Sequence, residues 1–106
     1  MARYIRKGDT VQKLNNTEQV ILYGDVVKLS TRIGIAASTI NPGEVGTVNI
    51  VGVYEIKAES DEVLAIGETV YLNESGNITK TVGNVVVGIA VEDKASGTPF
   101  ARVKIG

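Results

Sequence analysis

Apolar and polar residues alternate along most of this chain with a period of two, between turns rich in Gly and Asn. That pattern predicts half-buried β-strands. Residues 9–14 read as a first strand, with Asn15-Asn16 as the turn after it. Asn41-Pro42-Gly43 is a turn signal, and a long strand is predicted to follow it. In that strand Val48, Ile50, Gly52, Tyr54 and Ile56 share one face, and Thr47, Asn49, Val51, Val53 and Glu55 the other. Ser60 is placed to N-cap a short turn of helix through Leu64-Ala65, ended by Gly67. Glu74-Ser75-Gly76-Asn77 predicts a hairpin turn between strands at 69–73 and 78–82, and Gly83-Asn84 a further turn. Residues 85–91 are nearly all apolar, which predicts a central strand covered on both faces. The last strand reads cleanly, with Ala101, Val103 and Ile105 inward and Arg102 and Lys104 outward.

The pattern occurs twice. Val20-Ile21-Leu22-Tyr23-Gly24-Asp25-Val26-Val27-Lys28-Leu29 matches Val63-Leu64-Ala65-Ile66-Gly67-Glu68-Thr69-Val70-Tyr71-Leu72. Ile33-Gly34-Ile35-Ala36 recurs as Val87-Gly88-Ile89-Ala90, and Gly46-Thr47-Val48-Asn49-Ile50 as Ala101-Arg102-Val103-Lys104-Ile105. Alternation points Val27, Leu29, Val70 and Leu72 inward and Lys28 and Tyr71 outward, so both copies face a core in the same register. The expected fold is all-β: a small pseudo-symmetric β-barrel or sandwich built from two similar halves, with an extended N-terminal arm. The 106 residues form one domain. Residues 1–14 are the arm and first strand, 18–56 the first half and 60–106 the second.

Composition agrees. Val (16), Ile (11) and Thr (9) make the chain heavy in β-branched residues, which favour strands. With 11 basic and 12 acidic residues, the net charge of −1 gives no long-range pull toward nucleic acid or an anionic membrane, so neither is expected as a partner. No His and no Cys are present, which removes the commonest general base, thiolate chemistry, disulfides and the commonest transition-metal ligands. The N-terminus carries no signal-peptide pattern, and no apolar run nears the ~18 residues of a membrane-spanning helix. A soluble protein made in the cytoplasm is expected.

Candidate chemistry is sparse, and no catalytic residue, metal site or cofactor is expected. Glu55, Glu59, Asp61 and Glu62 cluster in sequence, but with Lys57 among them and no EF-hand spacing they read as a solvated loop. Gly24, Asp25, Gly67 and Glu68 read as structural turns: Gly supplies an unusual φ and the acid bonds nearby N–H groups. Gly34 and Gly88 lack phosphate-loop spacing and read as points of close backbone approach. The serines have no His partner and no Ser-x-x-Lys motif. The N-terminal segment is different. Arg3, Tyr4, Ile5, Arg6 and Lys7 combine three cations with two apolar anchors. The segment is either a frayed terminus with solubilising charge or an arm that orders on a partner.

The ordered set of motifs resembles the cement, or decoration, proteins of tailed-bacteriophage capsids, a family formerly classed as a domain of unknown function. It comprises Arg3-Tyr4-Ile5-Arg6-Lys7-Gly8-Asp9-Thr10-Val11, Gly24-Asp25-Val26-Val27, Ile33-Gly34-Ile35-Ala36, Pro42-Gly43-Glu44-Val45-Gly46-Thr47-Val48 and Gly52-Val53-Tyr54-Glu55. Gly67-Glu68-Thr69-Val70-Tyr71, Val87-Gly88-Ile89-Ala90-Val91-Glu92 and Arg102-Val103-Lys104 complete it. The resemblance implies a non-enzymatic virion protein bound on the outer surface of the phage head. Its partner would be the major capsid protein, its assembly a homotrimer, and its gene in some cases part of a prophage. The apolar Val51 and Val53 exceed what one small core needs, in keeping with a trimer. A small-molecule or carbohydrate-binding β-barrel is the alternative from another functional class.

Overall fold

The computed structural model describes residues 2–5 and 8–106. Among these, nine strands form and no helix: β1 (Thr10–Leu14), β2 (Val26–Leu29), β3 (Arg32–Ala36), β4 (Val45–Asn49), β5 (Gly52–Lys57), β6 (Thr69–Leu72), β7 (Ile78–Thr79), β8 (Val86–Ala90) and β9 (Phe100–Ile105). The fold is therefore all-β, as the alternation predicts. The nine strands belong to one continuous sheet that does not close into a barrel. Instead the molecule is a slab of 39 × 39 × 21 Å.

The two halves pair in the same way. β1 runs antiparallel to β4, β4 to β3 and β3 to β2. In the second half β5 pairs with β9, β9 with β8 and β8 with β6, all antiparallel. β1 thus has the place in the first half that β5 has in the second. β7 is an addition to the second half, reached through the 74–77 hairpin, where the Asn73 side chain accepts the N–H groups of Ser75 and Asn77 at 3.0 and 2.9 Å. The halves join where β3 meets β8 in parallel, at Arg32 and Val86. These two residues are equivalents in the repeat.

Packing follows the same division. Val27, Ala36, Ile40 and Val48 form one buried cluster, with Val11, Ile21 and Leu29 against it. A larger cluster holds Ile56, Leu64, Val70, Leu72, Ile78, Val87, Val103 and Ile105 of the second half, together with Ile33 and Ile35 of β3. β3 is therefore covered on both faces. Ile33 and Ile35 enter the larger cluster, while Gly34 lies against Val48 and Leu29 of the smaller one. A Cβ on Gly34 would overlap Val48 and stand 2.9 Å from the Asn49 carbonyl oxygen.

Three local expectations are corrected. Doubly covered burial belongs to β3, not to 85–91: Ile89 of β8 is 41% exposed. The cause is a bulge. Val70 faces Gly88 and Tyr71 faces Val86, so Val87 is an extra residue that breaks the alternation. Second, the long strand predicted across 47–56 is two strands, broken at Ile50-Val51. There the Ile50 N–H turns to the Asp9 carbonyl, and Gly52 takes φ 141°. Third, Ser60 caps no helix. Leu64 exchanges backbone hydrogen bonds with Lys94 at 3.0 and 2.9 Å, and this holds the segment extended.

Val70 is fully buried whereas Tyr71 beside it is only partly buried. Val70→Asp is expected to cost about 3 kcal/mol or more, because it places an unpaired charge in the core. Tyr71→Asp should cost far less. Urea unfolding followed by circular dichroism compares them, and equal losses would contradict the register.

Candidate partner-binding surface

The turns of the repeat are built alike. In Leu22-Tyr23-Gly24-Asp25 the Asp25 N–H reaches the Leu22 carbonyl at 3.0 Å, and the Asp25 carboxylate accepts the Leu22 N–H at 2.9 Å. In Ala65-Ile66-Gly67-Glu68 the same two bonds measure 3.0 and 3.1 Å. Gly24 and Gly67 have φ of 86° and 88°, a left-handed conformation that glycine takes without strain. Each of these glycines donates its N–H to the end of a central strand, Gly24 to Ala36 and Gly67 to Ala90.

Behind the turns a buried polar side chain serves the loop of each half, Asn15 in the first and Lys94 in the second, and sequence reasoning identified neither. Asn15 donates its amide to the carbonyls of Gln19 and Ile40 at 2.9 and 2.8 Å and accepts from Thr17. In the second half Ala58 stands where Asn15 would be. The loop carbonyls there are met from the other side, by Lys94, only 4% exposed. Its ammonium donates to the Glu62 carbonyl at 2.6 Å and to those of Ser60 and Ala95 at 3.4 Å. Gln19 and Glu62 are repeat equivalents, so one loop carbonyl is served by an amide in one half and an ammonium in the other. The single sequence signal was that Lys94 occupies the position of the apolar Ile40.

The acids at Glu55, Glu59, Asp61 and Glu62 do not converge on one point. Glu55 and Glu92 flank Arg102 at 3.5 and 3.0 Å on the outer face of the second half. The Glu92 hydrogen bond, then its charge, with Glu55 behind it, hold the Arg102 guanidinium above its ordinary pKa. Glu59 accepts from the Asn73 amide, and Glu62 from the Thr79 hydroxyl at 2.7 Å and the Lys80 N–H at 2.8 Å. Burial alone would raise the Glu62 pKa. The Lys80 and Thr79 hydrogen bonds and the charges of Lys80 and Lys94 outweigh it and hold the carboxyl below its ordinary value. Among the described residues no group of three or more metal-ligating side chains comes together. A depression of about 690 Å³ runs past Lys28, Glu59, Asn73 and Val82 at the surface. The interiors of both halves are filled by side chains, so the depression is not the lumen of a ligand-binding barrel.

Residues 2–5 form an irregular segment leading to β1. Arg3 is exposed, and Tyr4 and Ile5 are 82% and 76% exposed. Arg6 and Lys7 lie outside the described residues. On the outer face of β5, β9 and β8 the cross-strand row Val53–Lys104–Ile89 leaves two further apolar side chains in the open, with Val51 nearby. No helix among the described residues is long and apolar enough to cross a membrane.

Two stability measurements test this account of the loops. Lys94→Met takes the donor away from part-buried carbonyls and is expected to lower stability by about 1–3 kcal/mol, read as a lower urea midpoint, whereas Arg102→Ala, at an exposed ion pair, should leave the midpoint nearly unchanged. Glu62→Gln should be less stable than the wild type at neutral pH. A carboxyl with a lowered folded pKa stabilises above its unfolded pKa and loses that effect as pH falls through the folded one. The gap between the two proteins should therefore close on acidification; a gap independent of pH would contradict the hydrogen-bonding role of the carboxylate.

The sequence matches the phage cement protein family over residues 5–105. No curated protein and no solved structure matches it. The match takes in every strand, both turns of the repeat and the apolar Ile5 of the arm, and it is the family that the sequence motifs resemble. The chain belongs to the phage cement protein family, and with it to the structural proteins of the phage capsid.

Proposed function

We propose that the chain binds the outer surface of the phage head, contacts the major capsid protein through its N-terminal arm, and stabilises the assembled lattice as a trimer. The observation that carries this reading is the pair Tyr4 and Ile5, exposed on a segment outside the packed fold of a phage cement protein. Exposed apolar side chains of this size gain free energy by burial: Ile5 alone would contribute ~1.5–3 kcal/mol on docking. An extended segment also offers main-chain hydrogen bonds to a neighbouring sheet edge. Arg3, Arg6 and Lys7 would steer the arm toward an acidic shell and make binding weaken with salt.

Stabilisation follows from mass action. A ligand that binds the assembled, expanded lattice and not its free subunits shifts the equilibrium toward the lattice. Linking three arms in one trimer raises the effective concentration of each arm at the surface. The exposed Val51, Val53 and Ile89 supply an apolar strand face for contacts between protomers.

Two experiments test this reading. A chain beginning at Gly8 should keep its melting temperature and lose most of its affinity for expanded heads. Equal decoration by the shortened chain would place the capsid-binding surface on the sheet instead. For assembly, light scattering and electron microscopy of decorated heads should show trimers in solution or on the shell; a mass near 11 kDa at every concentration together with isolated monomers on heads would refute it.

A further inference from the structure

Four turns in this protein share one geometry, with a left-handed glycine third and a backbone hydrogen bond from the fourth residue to the first. They are 22–25, 41–44, 65–68 and 95–98, with Gly24, Gly43, Gly67 and Gly97 at φ between 83° and 96°. The second residue of such a turn sits at its exposed corner and is commonly Pro or polar. Two of the four obey, with Pro42 and Ser96. The other two carry Tyr23, 76% exposed, and Ile66, 65% exposed. Both halves thus break the same rule at the same repeat position.

The two tips are also rigid and near the ends of neighbouring strands. Carboxylates of Asp25 and Glu68 clamp the first residue of each turn, and Asp93 accepts the Ile66 N–H at 2.8 Å. The turns are tied to Ala36 and Ala90, each four residues downstream of the point where β3 and β8 meet in parallel. Both tips therefore lie toward the end at which these two strands finish, within the 39 Å breadth of the molecule. Ordered apolar side chains held in this way give up little entropy on binding.

We propose that Tyr23 and Ile66 are paired anchors for a protein surface that presents one apolar socket twice, each socket with a neutral or basic rim, and that this surface is two neighbouring subunits of the capsid shell. The inference rests on the capsid reading and adds a second contact, distinct from the arm. Charge decides between the shell and a second copy of this chain. The charged residues within 17–25 and 61–68 are all acids, Glu18, Asp25, Asp61, Glu62 and Glu68. Of the two cations bonded into the second loop, Lys94 is buried and Lys80 donates to the Val63 carbonyl at 3.2 Å, so acids still outnumber exposed cations along both loops. Tips of two copies brought together would set these acids against each other, whereas a basic rim complements them.

The test titrates expanded heads, assembled from the same phage's capsid protein without this chain, and reads bound protein by sedimentation. Tyr23→Ser and Ile66→Ser should each keep the melting temperature and lower affinity about tenfold or more, with the double variant weaker than either. Tyr23→Pro copies the turn at Pro42 and serves if Tyr23→Ser fails to fold. A folded double variant that binds heads like the wild type overturns the inference while leaving the capsid reading intact. So does a double variant that loses self-association but keeps its affinity for heads, since the tips would then serve a second copy. Wild-type protein that fails to bind heads sinks the capsid reading, and this inference with it.

Discussion

Burial of β3 on both faces is the constraint that makes one molecule of two halves. Ile33 and Ile35 fill the cluster of the second half, and the opposite face of the strand closes the cluster of the first. This works only because Gly34 has no side chain where Val48 and the Asn49 carbonyl crowd the strand. β8, its equivalent, cannot repeat the arrangement: its bulge turns Ile89 outward. The local symmetry of the sequence is thus broken at the joint between the halves, where one strand must serve two cores and the other only one.

Away from the joint the repeat is kept by hydrogen bonding more than by residue identity. The turns at 22–25 and 65–68 use an Asp and a Glu for the same reciprocal bond. The loops behind them satisfy one equivalent carbonyl with the Asn15 amide or the Lys94 ammonium. A buried backbone acceptor must have a partner, and which side chain provides it matters less than that one does. Rigid loops result, and these carry the exposed apolar tips.

Much of this was legible in the sequence because strand burial follows a period of two. Ala101, Val103 and Ile105 turn inward as the alternation requires, as do Val27 and Val70. Features that break the period were not legible. The bulge at Val87 made an apolar run look doubly buried, and the unbroken alternation across 47–56 hid the break at Ile50-Val51, which only Gly52 betrays. Ser60 carried a helix-cap signal, but pairing of Leu64 with Lys94 across the fold overrode it. Tyr4 and Ile5 stood out because apolar residues in a basic terminus are unusual. Lys94 did not, since a lysine is exposed by default and its burial depends on carbonyls more than 30 residues away.

The proposed role is exerted on the capsid shell, so the shell is where it is most directly tested. Differential scanning calorimetry of expanded heads, at rising concentrations of added chain, measures the stability of the lattice itself. Selective binding to the assembled state predicts a head-disruption temperature that climbs with chain concentration and levels off when the sites are full. Heads that carry the bound chain yet melt at the same temperature as bare heads would contradict stabilisation as its function.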